Sequence, residues 1–143
     1  MISTQEPIKP FVKFSPVFIQ EKATLDEVLE LMRDSGIDKL TILKEDFTVV
    51  GLISKKEIFK FITSKRKTID FKQAKIEDVV KSSKGTILIY PGTKVSDAYS
   101  LMKTIKMDFL PVVNTPWEKK LVGFLWIKDI IKKIDKDFIR MPV

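Results

Sequence analysis

Apolar residues recur with a helical spacing at two places in the chain. Leu25, Val28, Leu29 and Met32 fall at i, i+3, i+4 and i+7, and so do Val95, Ala98, Tyr99 and Met102, which puts each set on one face of a helix. Thr24 and Glu27 form a capping box ahead of the first helix, where a hydroxyl and a carboxylate satisfy amides that the helix leaves unpaired. Short apolar runs bounded by Pro, Gly or charge, Val17–Ile19 and Ile87–Tyr90, predict strands before these helices. After them come Leu40–Leu43 with Val49–Ile53, and Leu110–Val113 with Leu121–Trp126. Their β-branched content on both faces suits sheets covered by helices. Lys55–Thr63 and Ile127–Ile134 predict a closing helix for each set, and Lys75–Val80 a short helix between the sets.

The two sets are copies of one unit. Ala23–Met32 aligns with Thr93–Met102 at an offset of about 70 residues, so that Leu31-Met32 meets Leu101-Met102 and Asp38 meets Asp108. Val49–Ile62 then aligns with Leu121–Ile134, about 72 residues on. The shift falls in a loop, Lys44-Glu45-Asp46 in one copy and the longer Asn114–Glu118 in the other, and loops are where insertions are tolerated. Ser64–Thr68 is charged and aperiodic and is read as the start of a linker reaching to about Gln73. The expected organisation is one compact module of two repeats, 1–67 and 68–143, because neither copy has enough apolar surface to fold comfortably alone.

Composition narrows the chemistry. The 143 residues contain no Cys and no His, which excludes a thiolate nucleophile, an imidazole base, a disulfide and a zinc site of the usual kind. No enzyme activity and no metal site are expected. The start of the chain lacks the apolar core of a secretory signal, and no apolar run approaches membrane-spanning length, so the expected place is the cytoplasm. Lys and Arg total 26 against 19 acidic residues, a net charge of +7, which favours anionic partners. The same Lys-rich, Asn-poor bias is also what heat adaptation produces.

A strand-helix-strand-strand-helix unit repeated twice, with Thr24-Leu-Asp-Glu-Val-Leu-Glu-Leu-Met32 in its first helix, resembles a tandem cystathionine-β-synthase (CBS) domain pair. Val50-Gly-Leu-Ile-Ser-Lys-Lys-Glu57 and Val122-Gly-Phe-Leu-Trp-Ile-Lys-Asp129 resemble that family's strand-to-helix signature, apolar-Gly-apolar-apolar-Ser/Thr-x-x-Asp, and Leu110-Pro-Val-Val113 its second-strand phrase. The likeness runs from about Pro16 to Ile134. It implies a mixed α/β (α+β) fold in which two β-α-β-β-α repeats pack about a pseudo-twofold axis. It also implies a stand-alone regulatory module that forms a homodimer and binds AMP, ADP, ATP or a similar adenosyl ligand in clefts between the repeats.

The resemblance also implies site residues. One cleft would use Asp129, Lys128 and Trp126 with Pro16, Ile37 and Asp38. The other would use Ser54, Lys56 and Glu57 with Thr86, Met107 and Asp108. In the family the acid at the start of the second helix takes the ribose hydroxyls. A carboxylate suits a cis-diol, and a phosphate suits helix-start amides beside a cation. Two departures make the clefts unequal. Glu57 is one methylene longer than the family's Asp, and Trp126 replaces the small Ser/Thr. The indole suits a base stack, a filled cleft or a place in the core. Ser54-x-x-Glu57 reads equally as a capping box, whereas Asp129 has no such role because Trp126 cannot cap. Met32, Met102 and Met107 read as core before they read as ligand lining, Met107 the least so because of its place in the repeat.

The leading expectation is a non-catalytic sensor that acts through its pairing with itself or with a regulated partner protein. Two alternatives stand beside it. One is a ligandless dimerisation scaffold, which Trp126 and Glu57 allow. The other is a basic nucleic-acid binder using Lys55-Lys56, Lys65-Arg66-Lys67 and Lys132-Lys133. The scatter of these clusters, without a nucleic-acid motif, argues for solvated faces. Phe47, Trp117, Phe138 and Met141 suggest a partner surface, and the tail Asp137–Val143 is expected to pack on a second subunit.

Overall fold

A computed structural model of the chain describes residues 5–64, 70–80 and 87–139, with side chains up to 135 in the last stretch. Thr86, the linker residues Lys65–Lys67, and the tail residues Phe138 and Met141 expected at a partner surface lie outside the described backbone or side chains. Among the described residues the fold is mixed α+β, with five helices and two small sheets. The chain divides into two compact units. One runs from Pro16 to Thr86, and the other joins the segment up to Ser15 with everything from Ile87 onward.

In the Pro16–Thr86 unit, β1 (Phe18–Gln20) leads to α1 (Leu25–Ser35), β2 (Lys39–Leu43), β3 (Val49–Ser54), α2 (Lys55–Ser64) and α3 (Ile76–Val80). The strand β2 is central, parallel to β1 and antiparallel to β3. The capping box at Thr24 forms, with the Glu27 amide donating to Thr24 Oγ1 at 3.2 Å. The buried face of α1, Leu25, Val28 and Met32, packs with Leu40 and Ile42 of β2, Ile53 of β3, Ile58 of α2 and Ile76 and Val79 of α3. Each such aliphatic side chain contributes about 1.5–3 kcal/mol when fully buried. The short α3 thus completes the core of the first repeat, and α1 is tied to the chain just before it by the Leu25 amide donating to Ala74 O at 2.9 Å.

The second unit repeats the plan with α4 (Val95–Ile105), β4 (Phe109–Val113), β5 (Leu121–Trp126) and α5 (Ile127–Ile139). The helix α5 runs five residues beyond its expected end. β4 and β5 pair antiparallel, with a register shift between Val112 and Val113, the counterpart of the one between Ile42 and Leu43. α1 ends on Gly36 in the left-handed region, φ 71°, while α4 ends the same way on Lys106, φ 57°, a conformation that costs a side-chain-bearing residue roughly 1 kcal/mol.

One expected strand is missing. Ile87–Tyr90 forms only a single parallel bridge, Ile89 to Val112. The cause is proline. In the first copy the Thr41 amide donates to Val17 O and the Glu21 amide to Leu43 O, both at 2.8 Å. Pro111 and Pro91 stand at the equivalent positions and have no N–H to give.

The division into units differs from the repeats counted along the sequence because the segment before the first repeat is bonded into the second. The Ile8 amide donates to Thr93 O at 2.8 Å and the Val95 amide to Glu6 O at 2.8 Å. Ile8 is fully buried. Lys13 pairs with Phe124 through two main-chain bonds, its N–H to Phe124 O at 3.0 Å and the Phe124 N–H to Lys13 O at 2.7 Å. The segment thereby covers the outer edge of β5. It fits because position 123 is glycine: a Cβ there would stand 2.8 Å from Val12 Cγ1 and 3.0 Å from Lys13 O.

Candidate functional site

In both units the second helix starts where the sequence places the family-like acid, and the preceding turn is held in the same way. The Lys55 amide donates to Asp38 O at 2.8 Å, and the Ile127 amide to Asp108 O at 2.9 Å. Each helix start is therefore fixed beside the residue that precedes the second strand. Ser54, Lys56 and Glu57 gather with Asp38 and neighbouring Ile37 in one unit. Trp126, Lys128 and Asp129 gather with Asp108 and Met107 in the other. Pro16, exposed, belongs with the first group by unit.

At Ser54 the side chains are spent on the helix itself. The Glu57 amide donates to Ser54 Oγ at 3.1 Å, and the Ser54 amide and hydroxyl donate to Glu57 Oε1 at 3.3 and 3.1 Å. This reciprocal box satisfies amides that would otherwise be orphaned, and it turns the Glu57 carboxylate back onto its own chain. Lys56 beside it is exposed.

At Asp129 the arrangement is different, since Trp126 offers no oxygen to the helix start. The indole is half-buried, its Nε1 donating to the Ser15 hydroxyl at 2.9 Å. Its ring lies against Phe109 at 5.0 Å between centroids, tilted by 38°. Of the three roles open to Trp126 in the sequence, a wholly buried core position is thus not the one it takes. Lys128 Nζ sits 5.3 Å from the ring centroid and Lys13 Nζ 6.0 Å, both within cation–π range.

Lys13 Nζ also lies 3.0 Å from Asp129 Oδ2. That oxygen is buried and receives no hydrogen bond among the described residues. The ammonium is at ion-pair distance, close enough to neutralise it. One unit therefore assembles an aromatic ring, two ammonium groups and a buried carboxylate oxygen within a few ångströms. That set matches a base or sugar face, an anion and a hydroxyl donor respectively.

Lys13 and Ser15 are the residues that sequence reasoning missed. The segment carrying them has no periodicity and lies over a hundred residues from α5. The available signal was Gly123, which marks a close backbone approach without saying which segment approaches. Among the described residues no group of His, Cys, Asp and Glu could hold a metal ion, and no described helix is long and apolar enough to cross a membrane.

Comparison with known proteins bears on this arrangement. The sequence model of the CBS domain matches the chain twice, at residues 8–64 and 76–136. An uncharacterised 33.4 kDa protein in a ribosomal RNA operon of Thermofilum pendens is 25% identical over 127 residues, covering 89% of this chain. The chain spans 39% of that relative's length. The crystal structure of CbpB in complex with c-di-AMP superposes with a TM-score of 0.79 at 18% identity, covering 95% of this chain and 91% of that one. A CBS domain pair in complex with 5′-methylthioadenosine and S-adenosyl-L-methionine superposes with a TM-score of 0.65 at 18% identity, covering 92% and 97%.

Proposed function

The chain belongs to the CBS domain family, and from that premise we propose that it is a non-catalytic regulatory module that binds an adenosyl ligand of the AMP, ADP or ATP kind. The observation that carries the reading is the convergence of Trp126, Lys128, Lys13 and Asp129 in one unit. Asp129 takes ribose hydroxyls, the lysines take phosphate, and the indole offers a flat face. Pro16, Ile37, Asp38, Met107 and Asp108 are further contacts in the proposal, as are Ser54, Lys56, Glu57 and Thr86 for a second, weaker ligand. The adenosyl ligands held by the two structural neighbours support the class. The module is proposed to work as a cytoplasmic homodimer that passes ligand binding on to a partner protein.

Thermal melting with and without ATP, AMP, S-adenosylmethionine and a short DNA duplex tests the reading. A ligand at a hundred times its dissociation constant adds about 2.7 kcal/mol. A shift with an adenosyl ligand supports the proposal. No shift with any of them refutes it, and a shift with the duplex alone favours a nucleic-acid binder. One observation favours a second reading, a ligandless scaffold: Glu57 is already engaged by Ser54.

A further inference from the structure

Resting on the reading of Asp129 and Trp126 as a nucleotide site, we propose that Lys13 is a movable counterion that makes this site select phosphorylated adenosyl ligands. A ribose hydroxyl and the Lys13 ammonium compete for the same atom, Asp129 Oδ2. That atom is buried and has a charge 3.0 Å away but no hydrogen bond. A hydroxyl supplies the missing hydrogen bond, and a carboxylate accepts it strongly. The ammonium it displaces then needs an anion.

Lys13 is built to make that exchange. Its main chain is fixed to Phe124 by two bonds, at 3.0 and 2.7 Å, and Gly123 leaves no slack beneath it. Its side chain is 45% exposed while that of Asp129 is 21% exposed, so the ammonium has open solvent to swing into from a fixed root. It already lies 6.0 Å from the Trp126 ring, with Lys128 5.3 Å from the same ring. A phosphate brought in by the nucleoside therefore meets two ammonium groups. A neutral thioether leaves the displaced Lys13 without an anion, whereas S-adenosylmethionine brings one carboxylate against a sulfonium and an ammonium and is a poorer anion than a phosphate. The selection is for nucleotides over methylthioadenosine and S-adenosylmethionine. Ser15, next but one to Lys13, holds the indole by its N–H and keeps the ring in place during the exchange.

Calorimetric titration of ATP, AMP, methylthioadenosine and S-adenosylmethionine into the whole protein and into Lys13→Met and Lys13→Arg tests this. The native protein is expected to prefer ATP over methylthioadenosine by about tenfold or more, the scale of a charge-assisted contact. Lys13→Met keeps the aliphatic stem, removes the charge and brings the two affinities to within about threefold, with methylthioadenosine bound as well as before or better. Lys13→Arg restores the preference. A preference unchanged in Lys13→Met overturns the role of Lys13 while leaving the nucleotide site standing. Absence of binding of every adenosyl ligand to the native protein overturns the site and this inference together. Should Lys13→Met fail to fold by circular dichroism, Lys13→Gln, which also removes the charge, is expected to bring the two affinities to within about threefold, and an unchanged preference in it overturns the role of Lys13.

Discussion

Replacing Gly123 with alanine asks whether the N-terminal segment is held by shape as well as by hydrogen bonds. The added Cβ would stand 2.8 Å from Val12 Cγ1, 3.0 Å from Lys13 O and 3.4 Å from Lys13 C. The Val12 methyl yields by rotating. The carbonyl oxygen does not, because it accepts the 2.7 Å bond from the Phe124 amide. Overpacking of this kind costs about 1–3 kcal/mol. Loss of glycine's freedom in the unfolded chain returns roughly 0.4–1 kcal/mol. The net expectation is a destabilisation of about 1–2 kcal/mol, or a melting temperature lower by about 3–8 °C for a domain near this size. Differential scanning calorimetry measures it, and hydrogen exchange at the Lys13 and Phe124 amides locates it. A variant as stable as the native protein, with those two amides still protected, would show that the close approach at residue 123 is not what the geometry says it is.

Two further outcomes follow from single residues. Thr41 is fully buried and its hydroxyl finds no partner among the described residues, so Thr41→Val should stabilise the protein by about 1 kcal/mol; a lower midpoint in urea would show that the hydroxyl is satisfied in solution. Pro111→Val restores an amide opposite Ile87 and should lengthen the single bridge at Ile89 into a ladder, read as slow exchange of the residue 111 amide, whereas rapid exchange there would mean that proline is not what limits the strand.

The first helix of each repeat, the β2–β3 and β4–β5 pairs and the doubling itself were legible because period and offset are properties of neighbouring residues. The capping box of Ser54 and Glu57 was legible for the same reason. What was not legible is pairing at long range. Nothing local distinguishes Lys13 or Ser15 from other residues of an aperiodic stretch, and their roles come from a strand edge formed more than a hundred positions later. Pro111 was read as part of a matching phrase, and its effect on the strand beside it emerges only when the donor it lacks is counted. Trp126, three residues before Asp129, left three roles open, and its contacts with Ser15 and Phe109, which leave the ring half-buried, remove only the wholly buried one.

The bonds from Ile8–Ser15 to Phe124 and Trp126 also set an order of events during synthesis. The Trp126–Ser15 contact spans 111 residues of chain, and at about 5–20 residues per second the ribosome needs roughly 6–22 seconds after Ser15 to make its partner. In the later part of that interval, once Val80 has left the ribosome, the unit beginning at Pro16 has all its described strands and helices available, while Val12 and Lys13 wait without the β5 edge that receives them. Nascent chains halted just before Phe124, with Val80 already clear of the ribosome, should thus present a protease-resistant middle and a cleavable start, the reverse of the usual order from the N-terminus onward.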